Sequence, residues 1–286
     1  MNKSLLLTDQ QINDLIQSYQ HKLSPKVLPY VKAQLILSDC TITIYDSKKV
    51  VFQGEGAAFY TQALESRFSA QAGSDEVGTG DVFGPVVVAA CFVDEEHYLQ
   101  LKDYSIQDSK KTTDDVILVL GPVLMKTLPH SLLILNDQKY NQVHKTDNMN
   151  AIKAKLHNQA YLHLDQKLKS LSNVSTLNVV DQFTPKAMYF KYLKDQPKIF
   201  VDLHFETKAE SKYFAVACAS IIARYAFLKE LDAMGQKYET TFPKGASTIV
   251  DKFAKRFLEE HGQTELKKVA KLHFKNIQNL LNVKHD

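Results

Sequence analysis

The sequence is poor in the features that mark secreted, membrane and zinc-binding proteins. Its three cysteines, Cys40, Cys91 and Cys218, are widely spaced and form no CxxC pair. An odd, scattered set argues against a disulfide framework and a cysteine-ligated zinc site, and it is typical of a reducing cytoplasm. No apolar run approaches the roughly 18 residues of a membrane span, and the run Ser4 to Leu7 is too short for a signal-peptide core. We therefore expect a cytoplasmic protein without a membrane partner.

Strong charge bias and the common catalytic motifs are also absent. The formal net charge of +3 permits binding to nucleic acid but does not demonstrate it. There is no GxSxG elbow and no P-loop, and the GxGxxxG glycines from Gly78 to Gly84 do not meet the dinucleotide-binding spacing. His157 and His163 lack a zinc-site spacing and are interpreted as core or surface histidines of a helix. Serine hydrolases, P-loop enzymes and zinc enzymes are therefore disfavoured.

The first part of the chain has the pattern of a small α+β unit. Its first predicted helix, residues 8–24, carries Ile12, Leu15 and Ile16 on one face. Alternating apolar residues then predict a meander-like antiparallel sheet, and a second helix follows. These elements are the strands Lys32–Leu37, Thr41–Tyr45 and Val50–Gln53 and the helix Ala57–Arg67. We expect this domain to span residues 1–66.

The second part, residues 67–286, has the pattern of a layered α/β domain. It opens on a polar seam, Phe68 to Ser74, that is rich in Ser, Ala, Gln and Gly. The apolar run Val86–Val93 is typical of a strand buried on both faces. Strands that alternate with helices indicate a sheet flanked by helices. The other predicted strands are Leu132–Asn136 and Thr176–Asp181, and the predicted helices are Thr113–Lys126, Met149–Leu171, Pro185–Leu193 and Ser211–Gln236.

Four acidic residues stand where predicted elements of this second part begin or end. Asp75 and Glu76 are adjacent in or beside its first strand. Neighbouring side chains on a strand face opposite ways, so both acids reach one cluster only if the strand ends or bulges there. Asp181 ends an apolar strand, and Glu210 precedes a long helix whose dipole favours a carboxylate. Taken alone, each position is also explained by a polar turn, a strand end or a helix start.

Together, these separated acids predict a site for divalent metal ions. Hard cations such as Mg²⁺ prefer oxygen ligands and need only a few carboxylates beside a substrate phosphate. Two such ions can activate a water molecule and stabilise the leaving oxygen in an in-line displacement. No other set of residues in the sequence competes as a metal site. The pattern favours metal-dependent cleavage at a phosphate.

Several blocks around these acids resemble the type 2 ribonucleases H. Residues 74–86 resemble the opening signature of that family, and Asp108 to Lys111 resembles its DSK element. Lys208-Ala209-Glu210, leading into Ala219 to Arg224, is similar to the KAD…ASIIAK block of ribonuclease HII, with Glu in place of Asp. Thr79 stands where the HII motif has Arg. These two differences and the extra N-terminal unit indicate the ribonuclease HIII branch.

This resemblance implies a ribonuclease H-like mixed sheet flanked by helices. The small N-terminal α+β domain is expected to resemble half of a TATA-binding protein and to help grip the substrate. The implied activity is that of an endoribonuclease that hydrolyses the RNA strand of RNA–DNA hybrids with Mg²⁺ or Mn²⁺, leaving 5′-phosphate and 3′-hydroxyl ends. The implied catalytic and metal-binding acids are Asp75, Glu76, Asp181 and Glu210. We expect a monomer without an obligate protein partner.

The predicted substrate contacts are a glycine loop and several lysines. Backbone groups of Gly78, Thr79 and Gly80 are expected to approach the 2′-hydroxyls that distinguish RNA from DNA. Lys110 and Lys208 are candidate phosphate contacts, although solvated surface lysines have the same pattern. Four C-terminal lysines at helical spacing are compatible with a face that binds the nucleic-acid backbone, but the acids between them favour a solvated face: Lys267, Lys268, Lys271 and Lys275.

Two alternatives stay open at this point. The ribonuclease HIII branch generally needs a run of ribonucleotides, whereas an HII-like enzyme would act on a single ribonucleotide in DNA. The replacement of Arg by Thr79 disfavours HII-type recognition. The other alternative is a nucleic-acid-binding protein with a silent nuclease site, which the presence of all four acids disfavours.

Overall fold

The structure, a computed structural model, describes residues 2–7, 9–25, 29–62, 64, 68–104, 106, 112–171 and 177–282. The chain divides into two compact units, Met1–Phe68 and Ser69–Asp286. Cys40, Cys91 and Cys218 are buried free thiols. Across the described ranges, no helix combines the length and the apolar character needed to cross a membrane.

The first unit contains an antiparallel sheet of four strands, β1 (Asn2–Leu6), β2 (Val31–Ile36), β3 (Thr41–Tyr45) and β4 (Lys49–Gln53). Their spatial order is β1-β4-β3-β2. Two helices, α1 (Asp9–Ser18) and α2 (Ala57–Gln62), pack on one face of this sheet. The core between the helices and the sheet consists of Leu7, Ile12, Leu15, Leu35, Cys40, Ile42, Ile44, Val50, Phe52 and Ala57.

The predicted helix Ala57–Arg67 corresponds to α2, which ends at Gln62, and residues 63 and 65–67 lie outside the described ranges. Two further features of this unit differ from the sequence prediction. The residues of β1 do not alternate between apolar and polar, so their pattern does not reveal the strand that pairs with β4. The predicted helix 8–24 ends at Ser18, and a 3₁₀ turn, Gln20–Lys22, follows it. None of the three residues in that turn is buried, so no packing extends the regular helix.

The second unit is built on a mixed sheet of five strands, β5 (Gln71–Val77), β6 (Val86–Val93), β7 (His130–Leu135), β8 (Leu177–Asp181) and β9 (His204–Glu206). Their order is β7-β6-β5-β8-β9. β5 pairs antiparallel with β6 and parallel with β8. The mixed sheet confirms the predicted α/β class, and β6 is buried along its whole length, as its apolar run predicts.

Helices flank this sheet on both faces. They are α3 (Glu95–Leu101), α4 (Asp114–Thr127), α5 (Asp137–Val143), α6 (Met149–Ser170), α7 (Lys186–Tyr192), α8 (Phe214–Tyr238), α9 (Thr248–Val269) and α10 (Lys275–Asn282). α4, α6 and α7 lie within two residues of their predicted bounds. α8 begins later than predicted, because a separate 3₁₀ turn, Ala209–Ser211, precedes it.

The two longest helices of the unit determine what each face of the sheet contacts. α6 packs on the face that presents Ala72, Val88 and Ala90. α8 lies against the opposite face, where a Cβ atom on Gly73 would come within 2.3 Å of the Val216 amide nitrogen. The predicted seam Phe68 to Ser74 overlaps β5 from Gln71 onward, where its small residues admit a closely packed helix.

Candidate metal and nucleic-acid site

Asp75 and Glu76 lie in the last part of β5, where the strand continues beyond its parallel neighbour. Pairing between β5 and β8 ends at Ser74 and Val180, but pairing with β6 continues without a bulge to Val77. Because the strand stays regular, the two side chains point to opposite faces of the sheet. Asp75 faces α8, and Glu76 faces α6. β5 nevertheless ends at Val77, one residue beyond the pair, and the charge of Glu76 raises the pKa of Asp75, so the two carboxylates interact at the strand end.

The Asp75 carboxyl is half-buried in a region of concentrated negative charge. Its Oδ1 accepts a hydrogen bond from the Glu76 amide at 2.8 Å, and the Ser220 side chain on α8 also bonds it. Burial, followed by the charges of Glu76 and Asp181, raises the pKa of Asp75 to about 8. A cation placed beside this carboxyl would offset both the burial cost and the repulsion.

Asp181 is brought beside Asp75 by the parallel pairing of β5 and β8. It is the last residue of β8 and directly follows Val180, the partner of Ser74. Its Oδ1 accepts a hydrogen bond of 2.9 Å from the Ala209 amide. That bond attaches the strand end to the 3₁₀ turn that carries Glu210, which is only 4% exposed. Asp75, Asp181 and the Glu210 turn therefore lie on the α8 side of the sheet.

Glu76 is held by two residues of α6 that its sequence motif does not reveal. Lys153 Nζ lies 2.5 Å from Glu76 Oε1, and His157 Nε2 lies 2.9 Å from Oε2. Burial alone would raise the pKa of Glu76, but the contacts with His157 and Lys153 outweigh it and the pKa is lowered. His157 is buried in the core, one of the two positions predicted for it, but the sequence does not predict its contact with Glu76. The one sequence signal was a lysine and a histidine four residues apart on one helical face.

The donor set suits Mg²⁺ or Mn²⁺, since it consists of carboxylate oxygens in a half-buried site. Within the ranges that the structure describes, no three His, Cys, Asp or Glu side chains form a ready metal-binding group. Mg²⁺ usually takes one or two protein carboxylates together with waters and substrate phosphates, so it needs no complete protein cage. The charge around Asp75 and Asp181 fits such an open site.

The predicted glycine loop follows β5 directly. Gly78 has φ +86°, and a Cβ atom there would lie 2.0 Å from the Pro85 carbonyl oxygen, so only glycine fits without strain. Gly80 is exposed, and a Cβ atom added there would have no atom within 4 Å. Thr79 is half-buried. The end of the loop is fixed by Asp81, whose Oδ1 accepts a 2.6 Å hydrogen bond from the Gly245 amide. The loop that directly follows Asp75 and Glu76 in sequence therefore has exposed backbone groups at Gly80.

The candidate lysines differ in their surroundings. Lys208 is exposed and has a left-handed conformation, φ +54°, at the start of the turn that carries Glu210. Lys110 lies outside the described residues, as does the remainder of the DSK element. The prediction that Lys271 lies on a solvated face is wrong. The side chain is fully buried, and its Nζ donates to the carbonyls of Asp81 and Gly84. It therefore supports the glycine loop from inside the unit.

Comparison with known proteins connects this site to a family. The family model described as Ribonuclease HII matches residues 72–277, and one described as a domain of unknown function matches residues 2–76. A protein of Bacillus pumilus named ribonuclease HIII is 37% identical over 302 residues, covering 96% of each chain. One of Bacillus velezensis with the same name is 37% identical and covers 92% of this chain and 91% of its own.

This chain belongs to the ribonuclease HIII family. Solved structures of ribonuclease HIII share its architecture along nearly the whole chain. Bst-RNase HIII in complex with Mn²⁺ matches with a TM-score of 0.72 at 32% identity, covering 98% of both chains. The RNase H3 of Aquifex aeolicus, at 24% identity and a TM-score of 0.57, shares the fold. The predicted ribonuclease H-like class with its small N-terminal domain is confirmed.

Proposed function

We propose that the chain is an endoribonuclease that hydrolyses the RNA strand of RNA–DNA hybrids by metal-ion catalysis. The observation that carries this proposal is the meeting of Asp75 and Asp181 at adjacent strand ends, beside the turn that holds Glu210. Membership of the ribonuclease HIII family supports the substrate class. The ribonuclease H reaction needs carboxylates that bind divalent ions beside the scissile phosphate, and these residues can supply them.

We assign Asp75, Glu76, Asp181 and Glu210 as the catalytic acids that hold Mg²⁺ or Mn²⁺. A related structure, Bst-RNase HIII, was solved with Mn²⁺. When bound, such ions would lower the pKa of a water that attacks the phosphate and would stabilise the departing 3′ oxygen. Because the bond to the 3′ oxygen breaks, that oxygen becomes the 3′-hydroxyl end and the phosphate stays on the 5′ end. The Ser220 side chain holds the Asp75 carboxylate, and the Ala209 amide holds the Asp181 carboxylate, towards the proposed metal position.

We propose that the loop of Gly78, Thr79 and Gly80 contacts the RNA strand. Its exposed backbone at Gly80 lies close in sequence to the metal-binding acids, and 2′-hydroxyls are the groups that such a loop can distinguish from DNA. Thr79 cannot provide the charged fork of an arginine, which supports a preference for runs of ribonucleotides. Lys208, which is exposed beside Glu210, is assigned to a backbone phosphate, and Lys110 is assigned likewise from its sequence alone.

We propose that residues 1–66 form the substrate-binding domain and residues 67–286 the catalytic domain. In the first unit, Val50 and Phe52 of β4 are fully buried under the helices, so the alternate residues Lys49, Val51 and Gln53 point to the opposite face. That open face also carries Thr41 and Gln34, whereas Thr43 beside them is buried. Its exposed charged and amide groups, Lys49 and Gln53, are suited to hydrogen bonds with a duplex.

We also propose that the enzyme works as a monomer in the cytoplasm without an obligate protein partner. The buried free thiols support a reducing compartment. Size-exclusion chromatography with light scattering measures the molar mass in solution and so tests the monomeric state. A dimer that persists on dilution would reject it.

The substrate assignment is tested by a panel of labelled duplexes with Mg²⁺ or Mn²⁺. The panel contains a uniform RNA–DNA hybrid, DNA with one embedded ribonucleotide, and plain DNA of the same sequence. We expect cleavage of the hybrid, with 5′-phosphate and 3′-hydroxyl ends, and poor cleavage of the single ribonucleotide. Preferred cleavage at the single ribonucleotide would favour an HII-like enzyme, and metal-independent binding without cleavage would favour a silent binding protein.

A further inference from the structure

Glu76 has a charged partner that lies outside the sequence blocks that resemble the family. The Lys153 ammonium lies 2.5 Å from its Oε1, and both side chains are nearly enclosed, at 11% and 12% exposure. His157, which is completely buried, contacts the other oxygen at 2.9 Å. Both oxygens of one proposed metal ligand are therefore already bonded from α6.

The two α6 residues are held in place by a shared aromatic surface. Lys153 Nζ lies 4.0 Å from the centre of the Phe183 ring, and the His157 imidazole stacks on the same ring at 5.4 Å between centroids. His157 Nδ1 also lies 2.8 Å from the Ser74 hydroxyl, so the imidazole is fixed at both nitrogens. Phe183 follows Asp181 by two residues, which connects this arrangement to the end of β8.

The two contacts differ in what they do when a cation approaches Glu76. A carboxylate oxygen has two acceptor sites, so the His157 bond can persist beside a metal ion and hold the carboxylate in orientation. Lys153 carries a full positive charge, which a neighbouring divalent ion repels. Lys153 also supplies the positive charge that a buried carboxylate needs when no metal is present.

We propose that Lys153 is an internal counter-ion for Glu76 that competes with divalent metal binding, while His157 is the positioning residue that orients Glu76. This inference rests on the proposed role of Glu76 as a metal ligand. Metal loading then includes a local exchange, in which the Lys153 ammonium leaves Glu76 Oε1 and the His157 bond stays. Neither residue is a catalytic residue, since each acts through Glu76.

The inference predicts opposite effects of two neighbouring substitutions on metal affinity. Lys153→Met removes the competing charge and should tighten Mn²⁺ binding by the free protein, on the order of fivefold. His157→Phe keeps the ring on Phe183 but loses the hydrogen bond, and should weaken Mn²⁺ binding by roughly tenfold or more. The measurement is titration of the full chain with Mn²⁺ without nucleic acid, with free Mn²⁺ followed by electron paramagnetic resonance.

Two matched variants act as controls. Lys155→Met removes a lysine from the same helix whose partner is Asp147, at 2.7 Å, and should leave Mn²⁺ affinity unchanged. Lys153→Arg keeps the charge and should stay close to the wild type. Unchanged or weaker binding in Lys153→Met, or equal tightening in Lys155→Met, would overturn the counter-ion role.

Glu76→Gln separates this inference from the proposed function. If Glu76→Gln binds Mn²⁺ as the wild type does, the metal role of Glu76 itself is wrong. If it loses affinity while Lys153→Met is neutral, only the counter-ion role is wrong.

A measurement on the unmodified chain covers the case in which Lys153→Met does not fold. The ¹⁵Nζ resonance of Lys153, assigned by its absence from Lys153→Arg, should shift when saturating Mg²⁺ is added. The resonance of Lys155 should stay in place. A Lys153 resonance that does not move, although Mg²⁺ binding is detected, would contradict the exchange.

Discussion

At the scale of single residues, the strand-end acids could be predicted from the sequence, but their partners could not. Asp181 was expected at the end of an apolar strand, and it is the last residue of β8. The orientation of Glu76 towards α6 depends on Lys153 and His157, which lie far along the chain and carry no local pattern that connects them to β5. Contacts between distant side chains depend on packing, which periodicity does not encode.

Substitution of Asp181 tests the charge at this position with little change in shape. Asp181→Asn retains an oxygen that can accept the Ala209 amide bond, so the Glu210 turn should stay in place. The loss of one negative charge beside the metal position should lower kcat by about 100-fold or more, since such charge stabilisation is worth several kcal/mol. Steady-state cleavage of a uniform hybrid checks this. Near-normal kcat in a folded Asp181→Asn protein would show that Asp181 is not one of the metal-binding acids.

At the scale of elements, the glycine loop shows which positions sequence reasoning could locate and which it could not. Gly78 and Gly80 predict the loop, but no sequence pattern predicts its supports at Gly245 and Lys271. The charge pattern of the C-terminal segment resembles that of a surface helix, so it predicts a solvated Lys271. Its burial depends on the bridge between Phe83 and Ala270, a long-range contact.

The two glycines of this loop should respond differently to alanine. Gly78→Ala places a methyl group against the Pro85 carbonyl at φ +86°, and should destabilise the second unit by roughly 1–3 kcal/mol. Gly80→Ala meets no atom within 4 Å and should leave stability unchanged, while raising KM for the hybrid if the loop touches RNA. Chemical unfolding and cleavage kinetics measure the two effects. Equal stability of both variants would refute the backbone argument.

The buried pair of Asp137 and Lys271 should make stability depend on pH. Burial raises the pKa of Asp137 from 3.8 to about 7, although the Lys271 charge opposes the rise. A carboxyl with a raised pKa in the folded state contributes stability below its unfolded pKa and loses it as pH rises through the folded pKa. From about pH 4 to about pH 7, Asp137→Asn should therefore gain stability relative to wild type, by up to about 4 kcal/mol. Unfolding measured across this range checks it, and a flat or falling difference would contradict it.

At the scale of the whole molecule, composition alone did not indicate the function. A net charge of +3 is compatible with many enzymes, and the nucleic-acid role came from ordered motifs around four acids. The α/β class and the helices α4, α6 and α8 could be predicted because apolar strands alternate along the chain with segments of helical length. The first strand, β1, and the short strand β9 could not, since short or non-alternating segments carry little pattern.

The open sheet face of the first unit offers a test of its binding role in the full chain. Gln53→Glu adds a negative charge to that face with almost no change in shape, and should raise KM for the hybrid several-fold while kcat stays constant. Gln17→Glu, on the exposed surface of α1, makes the same change on the helical side and should have no effect. If both variants raise KM equally, general charge rather than this face is responsible.

The most direct test of the central claim is cleavage of a labelled RNA–DNA hybrid by Asp75→Asn with Mg²⁺ or Mn²⁺. Removing the charge of Asp75 relieves repulsion from Glu76 and Asp181, so the metal-free protein should be at least as stable as the wild type. We expect cleavage to be lost while hybrid binding is retained. Full cleavage by a folded Asp75→Asn protein would contradict the assignment of this site.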